Sequence, residues 1–474
     1  MTRLMLMLFV TSLIWGCSLH RPEPVQPPAG LPTQFSLGQE TAGEQPCSTP
    51  WWHDFADPQL NRLIEALLAE NLTLEQGLAR LEQSRAAARQ AGAGQWPSLA
   101  LSGEAGRNRQ PGVSGSSTTD FRQLAVAAAF EIDLWGKLAA RSKAAEHSTQ
   151  ANFAELQTLT LGLVSQLVDL YYLAVEQRAQ LQLADQTIAS FSETQNRVEE
   201  RYRLGLRPAI DLYQARQSLQ NARAARQLFE ASLANAEHAL AVLIGRYPDR
   251  TSSGRLESLP ELATNFPLGL PSQLLVRRPD LRAAMARIAV ADHNVAAAIA
   301  ERFPSINLMA SYGTTRQELA SGLVTGDFWS LVSGLTLPLF DAGRRQAEVE
   351  RNQAVLREAL AAYRLAVLNA FREVEDSLAN HQSSAQRIQH LEETEKATVA
   401  TMRLAWQNYQ QGLSDYLPVL TTQRALYDTQ SRLLATRRQL ISHRISLARA
   451  LGGDWMKEEL ERRLAAAPGD QRDE

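Results

Sequence analysis

The residue types that do chemistry are few in this chain, and their spacing does not suit it. The eight histidines are scattered. His390-Leu391-Glu392-Glu393 begins like a helical zinc motif, but no second histidine follows at ligand spacing. Gly112-Val113-Ser114-Gly115-Ser116 has the composition of a nucleophile elbow without the strand–turn–helix context that would expose a serine, and reads as a flexible loop between strands. No glycine-rich loop carries the lysine that a nucleotide phosphate requires. Arg277-Arg278 offers charge for an anion, yet Pro279-Asp280 directly after it has the order of a helix start, so the pair reads as solvated surface beside that start. Trp51-Trp52 has faces for stacking on a sugar and reads instead as packing of the N-terminal segment onto helices. No catalytic residue, metal site or cofactor is expected.

One cysteine does have a chemical context. Arg3, the apolar run Leu4 to Trp15 and Gly16-Cys17 form a secretory signal peptide over residues 1–16, with cysteine at the first mature position. Leu13-Ile14-Trp15-Gly16-Cys17 resembles a bacterial lipobox, in which the Cys17 thiol is thioether-linked to diacylglycerol; Trp15 is bulkier than usual there. Ser18 in place of an aspartate favours the outer membrane over retention in the inner one. Several acyl chains together anchor stably where one holds weakly. Residues 17–59 are then a lipidated N-terminal segment. Cys47 within it has no intrachain partner once Cys17 is acylated, and either stays free or cross-links chains.

Lys and Arg number 48 against 51 Asp and Glu, and the arginines alternate with Glu and Gln rather than forming a basic stripe, which excludes nucleic acid as a partner. Ala, Leu, Gln, Arg and Glu dominate between short Pro/Gly clusters, so the protein is mainly helical. The chain also repeats itself. Pro97 recurs as Pro304, 207 residues later, and the same shift maps Phe121 onto Phe328, Gly136 onto Gly343, Gly205 onto Gly412 and Gly245 onto Gly452 without a gap. Two tandem repeats follow, residues 60–247 and 272–457. Residues 248–271 form a Pro/Gly/Ser-rich linker, and 458–474 a polar C-terminal tail.

Each repeat predicts the same elements. A helix (residues 60–95, then 280–302) stops before Pro97 or Pro304, because the residue before proline is pushed out of helical geometry. Two extended segments follow. A long helix, roughly 138–204 and 345–411, is closed by Gly205 or Gly412, and a returning helix, roughly 209–244 and 416–451, by Gly245 or Gly452. A run of roughly 65 residues is about 100 Å long and needs coiled-coil partners along its length.

The extended segments alternate. Leu124, Val126, Ala128, Phe130, Ile132 and Leu134 make one apolar face against Gln123, Ala125, Ala127, Ala129, Glu131 and Asp133. Trp329, Leu331, Leu335, Leu337 and Leu339 repeat the phase, with Leu99, Leu101, Ile306, Leu308, Ala310 and Tyr312 on the partner strands. Strands of about ten residues cross a bilayer when tilted. Alternation alone fits a soluble sheet with one buried face equally well. Four strands are too few to close a transmembrane barrel, so strands in lipid would have to be shared among chains, three of which supply twelve.

Several motifs, in order, resemble the outer membrane factor (TolC-like) family and its NodT-type efflux lipoproteins. They are Trp51-Trp52 with Phe55 and Asp57-Pro58; Glu131-Ile132-Asp133-Leu134-Trp135-Gly136; Arg277-Arg278-Pro279-Asp280-Leu281-Arg282; Pro338-Leu339-Phe340-Asp341-Ala342-Gly343; and Gln411-Gly412-Leu413 with Asp415-Tyr416-Leu417 and Gln423-Arg424. Met285 departs from the pattern at a position where an acid is common. The resemblance implies a homotrimer in the outer-membrane lipid: a shared twelve-stranded β-barrel above a long α-helical barrel crossing the periplasm. It implies a passive duct, docked through a periplasmic adaptor (membrane fusion protein) to an inner-membrane pump of the resistance–nodulation–division (RND) type. Lipid-facing positions then include Leu124, Val126, Phe130, Ile132, Leu331, Leu335 and Leu337. The periplasmic gate maps onto the turns at Gly205 and Gly412, onto Asp211, Asp415 and Tyr416, and onto Leu417, Thr421 and Arg424. A ring of Leu417 would close the lumen by dewetting, with Arg424 and Asp211 ion-paired across neighbouring helices. Thr421 stands where relatives often carry an acid.

Overall fold

The computed structural model of the chain describes residues 20, 35, 50–112, 115–249, 258–260, 271–319, 322–452 and 460. The signal peptide, Cys17, Cys47, most of the linker and all of the C-terminal tail except Leu460 lie outside the described residues. After a 3-10 turn at Trp51–Phe55, the first repeat runs α1 (Pro58–Glu70), α2 (Leu72–Ala93), β1 (Ser98–Gly112), β2 (Gly115–Ile132), α3 (Lys137–Arg203) and α4 (Ala209–Ile244). The second runs α5 (Pro271–Arg277), α6 (Pro279–Ala300), β3 (Ser305–Leu319), β4 (Gly322–Thr336), α7 (Arg344–Gln410) and α8 (Leu417–Leu451).

Local chemistry sets these boundaries. Asp57 accepts from Gln59 N and Leu60 N at 2.9 and 3.0 Å and caps α1, with Pro58 in the first turn. The single helix expected over 60–95 is broken at Asn71. Its backbone is extended and its side chain accepts from Leu74 N at 2.7 Å, starting α2 afresh. The long helices α3 and α7 have 67 residues each, about 100 Å at 1.5 Å per residue. Both end alike. Gly205 and Gly412 take φ of +70° and +77°, and the next residue closes back five positions, Leu206 N to Arg201 O and Leu413 N to Asn408 O, at 2.9 Å each. One 18-residue window of α3 reaches a mean hydropathy of 1.4, and most of it is buried.

The four strands form one antiparallel sheet in the order β1-β2-β3-β4. They are 15, 18, 15 and 15 residues long, well beyond the expected ten. In β1 and β2 the excess is a polar extension on the far side of Leu124, where Arg107 pairs with Asp120 and Arg109 donates to Ser116; main-chain pairing continues there after apolar alternation has stopped.

The chain divides into two compact units, each drawing on both repeats. One comprises Ala79–Ala154 and Arg282–Leu365 with His20, and holds the sheet; the other comprises Ala29–Leu78, Glu155–Leu281 and Ala366–Glu474. In the second unit Trp51, Trp52 and Phe55 are buried, and the Phe55 ring lies 5.2 Å from Tyr172, so the tryptophans do pack the N-terminal segment onto helices. Arg278, expected on a solvated surface, is buried. It is held by Asp280 at 2.7 Å, Glu373 at 2.8 Å and the Ala450 carbonyl at 3.1 Å. The repeat supplies the reason. Arg278 occupies the slot of Asn71, which donates to the Leu243 carbonyl at 2.6 Å, and a guanidinium there needs carboxylates that an amide does not.

Candidate functional site

The register joins the apolar residues of four strands into one surface. Leu101 opposes Val126, Val126 opposes Tyr312 and Tyr312 opposes Trp329; the neighbouring row is Leu99, Ala128, Ala310 and Leu331. Below them Phe130 opposes Leu308, and Ile132 opposes Ile306, which opposes Leu335. Leu124, Val126, Leu331 and Leu335 are exposed, and Phe130 and Ile132 half-buried. Leu134 and Leu337 keep the phase but stand past the strand ends at Ile132 and Thr336, so neither is a strand residue. The other face carries Ser98, Ala125, Ala127, Ala129, Ser311, Ser330 and Gly334 in register. Gly313 is obligatory there: a Cβ would collide with the Leu124 carbonyl and come within 2.8 Å of the Ala125 Cα.

In the second unit the two helical hairpin turns are fastened together around Tyr409. Its ring is 5.6 Å from that of Tyr416, and both are fully buried with Val198, Leu212, Val419 and Leu420. Arg201 donates to the Tyr409 and Gln410 carbonyls at 3.0 Å each. Arg207 donates to the Tyr409 carbonyl, also at 3.0 Å, with its guanidinium carbon 4.4 Å from the ring centre. Two cations from the first hairpin thus cap the C-terminal carbonyls of α7, where the helix dipole is negative. Asp211 is buried nearby. Burial pushes its carboxyl up, the charge of Asp415 adds to this, and Arg207 opposes it. The Tyr416 hydroxyl is pushed up to about 12, chiefly by burial.

Leu417, Thr421 and Arg424 are exposed and lie on one stripe of α8 at positions i, i+4 and i+7. Thr421 donates to the Leu417 carbonyl at 3.0 Å, so its hydroxyl serves its own helix. The expected Arg424–Asp211 ion pair is not formed within the chain. Arg424 instead donates to Ser218 on α4 at 2.9 Å; Asp211 is buried, whereas Arg424 is exposed. Gln423 turns inward to Ser190 at 2.9 Å.

The sequence profile of the outer membrane efflux proteins matches residues 63–246 and 270–453, two spans whose starts are again 207 apart. The chain belongs to the outer membrane efflux protein family. Its relatives include the cation efflux system protein CusC of Escherichia coli, 30% identical over 453 residues that cover 94% of this chain and 98% of CusC. The toluene efflux pump outer membrane protein TtgF of Pseudomonas putida is 32% identical over 462 residues, covering 93% and 94%. Among solved structures, the open state of the MtrE outer membrane channel of Neisseria gonorrhoeae superposes with a TM-score of 0.82 at 27% identity, covering 92% of this chain and 98% of that one. This family member therefore works in efflux at the outer membrane. Relatives named for cation efflux and for toluene efflux resemble it about equally, so membership does not assign a cargo.

The residues at the centre of the turns escaped the sequence reading. Tyr409, Arg201 and Arg207 are not among the residues that the sequence motifs single out. A signal existed: Tyr409 is the repeat partner of Tyr202. The two differ in role, since Tyr202 is 42% exposed and Tyr409 1%.

Proposed function

We propose that this chain is one subunit of a trimeric, gated and passive exit duct, fed by an inner-membrane RND-type pump through a periplasmic adaptor. The carrying observation is that the sheet has one mainly apolar face, with Ser333 opposite Leu308 as a polar position within it, and two edges, β1 and β4, unpaired among the described residues. An open edge in hydrocarbon leaves several main-chain groups unsatisfied, and pairing β4 of one copy with β1 of the next removes every edge. In this reading Leu124, Val126, Phe130, Ile132, Leu331 and Leu335 face lipid, Leu337 lies at the border, and the small residues of the other face line the lumen. Acylated Cys17 adds an anchor to the membrane.

The gate in this reading is the pair of hairpin turns. Three copies of Leu417 narrow and dewet the lumen, with Thr421 and Arg424 on the same stripe. The Arg207–Tyr409–Tyr416–Asp211 knot, with Gly205, Gly412 and Asp415, holds the turns inward. The exposed apolar residues Leu204, Leu206, Ile210 and Leu413 offer the adaptor a docking surface. Single-channel conductance in a planar bilayer tests this, using the acylated protein and its Leu417→Ala/Arg424→Ala variant. A small conductance that rises sharply in the variant is expected. No conductance from an inserted oligomer in either form would mean a structural lipoprotein, and a large ungated conductance a diffusion porin.

A further inference from the structure

The open ends of the two β-hairpins are repeat partners, yet their chemistry has diverged in one direction. In the first repeat Glu131 pairs with Lys137, and Asp133 accepts from Ala139 N at 2.8 Å, so the charges there are spent within the chain. At the positions 207 residues later, Pro338 replaces Glu131, Phe340 replaces Asp133, Arg344 replaces Lys137 and Arg302 replaces Gln95. Leu134 and Leu138 become Asp341 and Arg345, which pair with each other, so that on balance these positions lose one acid and gain two cations. Arg302 and Arg344 are both exposed and have no carboxylate partner among the described residues. They flank the end of one hairpin, where Ser305 pairs with Thr336. Beside them stand the most exposed large apolar side chains of the described residues, Leu339 at 89% and Phe340 at 91%, following directly on the apolar phase of Leu335 and Leu337.

We infer that this hairpin end binds the headgroup of an anionic phospholipid, with Arg302 and Arg344 on the phosphate and Leu339 and Phe340 in the upper acyl region. The inference rests on the reading of the sheet as membrane-spanning. Charge complementarity favours lipid over a second copy of the chain. Joining β4 to a neighbour's β1 brings up residues 84–97, which contain Arg85, Arg89 and the exposed Trp96 but no acid. The nearby acids Glu131, Glu301, Asp341 and Glu348 are already paired with Lys137, Arg141, Arg345 and Arg351. A neighbour therefore adds positive charge and an aromatic side chain to the site, and a diffusible anion would make no use of the apolar pair. Near a membrane surface each Lys or Arg adds attraction toward an anionic leaflet, and that attraction falls off with salt.

The test is lipid retention by native mass spectrometry of the full-length oligomer, released from nanodiscs containing phosphatidylglycerol and phosphatidylethanolamine in equal amounts. Wild type should retain phosphatidylglycerol about tenfold over phosphatidylethanolamine, with the preference shrinking as salt rises. Arg302→Gln/Arg344→Gln should abolish the preference, and Phe340→Ser should weaken retention of both lipids. Equal retention by wild type, or an unchanged preference in the double variant, overturns the inference. If the double variant does not assemble, the wild-type preference and its salt dependence still decide. An oligomer that does not enter the nanodiscs overturns the membrane-spanning reading itself, whereas insertion without preference overturns only the lipid site.

Discussion

Arg207 lies with its guanidinium carbon 4.4 Å from the centre of the Tyr409 ring and donates to the Tyr409 carbonyl at 3.0 Å, so the turn of the first hairpin is fastened to the end of the long helix in the second. A charged hydrogen bond of this kind contributes about 1.5–3 kcal/mol and the cation–π contact about 0.5–2. Arg207→Ala should therefore loosen the turns and raise single-channel conductance. Arg207→Lys, which keeps the charge but not the planar fork, should fall between. Because Arg201 uses the same carbonyl, the double variant should depart from additivity by 0.5 kcal/mol or more, taking the order of magnitude for neighbouring sites. Strict additivity would show that the two arginines act separately.

What could be read in the sequence was what local physics decides. The 207-residue repeat, the glycine stops at Gly205 and Gly412 and the phase of the apolar strand face need only neighbours in the chain. The break at Asn71 was missed because it depends on a capping bond that competes with the helix and on an anchor at Leu243. Strand length was underestimated because alternation reports burial in an apolar medium, whereas β1 and β2 stay paired beyond it with Arg107 opposite Asp120. Arg278 has Asp280 close by in the chain, but its other carboxylate, Glu373, lies 95 residues away and the Ser218 partner of Arg424 206, both out of reach of any local pattern.

Arg278 sits among Asp280, Glu373 and the Ala450 carbonyl with its own side chain buried, while both carboxylates are about a third exposed. Removing a buried partner costs about 3–5 kcal/mol, and solvent access to the acids lowers that to roughly 2–3 here. Arg278→Asn recreates the residue of the first repeat and retains only a carbonyl contact. Its denaturation midpoint should fall accordingly, and adding Glu373→Gln should recover part of the loss. No recovery would mean that the cost is lost packing rather than unpaired charge.

His381 and His443 are both held below their ordinary value of 6.5, chiefly by burial; Arg444 and then His443 add to this for His381, and Arg438 for His443. The unfolded chain then takes up protons near pH 6.5 while the folded one does not, so stability falls as pH drops through and below that value. Burial of Glu176 raises its pKa and works the other way, but only as pH falls toward the carboxylate range. Wild type should melt at a lower temperature at pH 5.5 than at pH 8. In His381→Gln/His443→Gln that difference should shrink, and equal slopes for the two proteins would refute the assignment.

Gly313 and Gly326 lie on adjacent strands of the same hairpin, yet their surroundings predict opposite outcomes. A Cβ at Gly313 collides with the main chain of Leu124 and Ala125, which cannot move without breaking the β2–β3 ladder; at Gly326 nothing lies within 4 Å. Overpacking against side chains costs about 1–3 kcal/mol, and against backbone the upper end applies. Gly313→Ala should therefore yield little heat-stable oligomer on unheated gels, while Gly326→Ala should match wild type. Because β2–β3 pairing joins the two hairpins within a chain and the helices lie outside it, the Gly313 variant should keep its helical circular dichroism while losing the oligomer. If the oligomer survived intact, the β2–β3 pairing would not be what builds the membrane part.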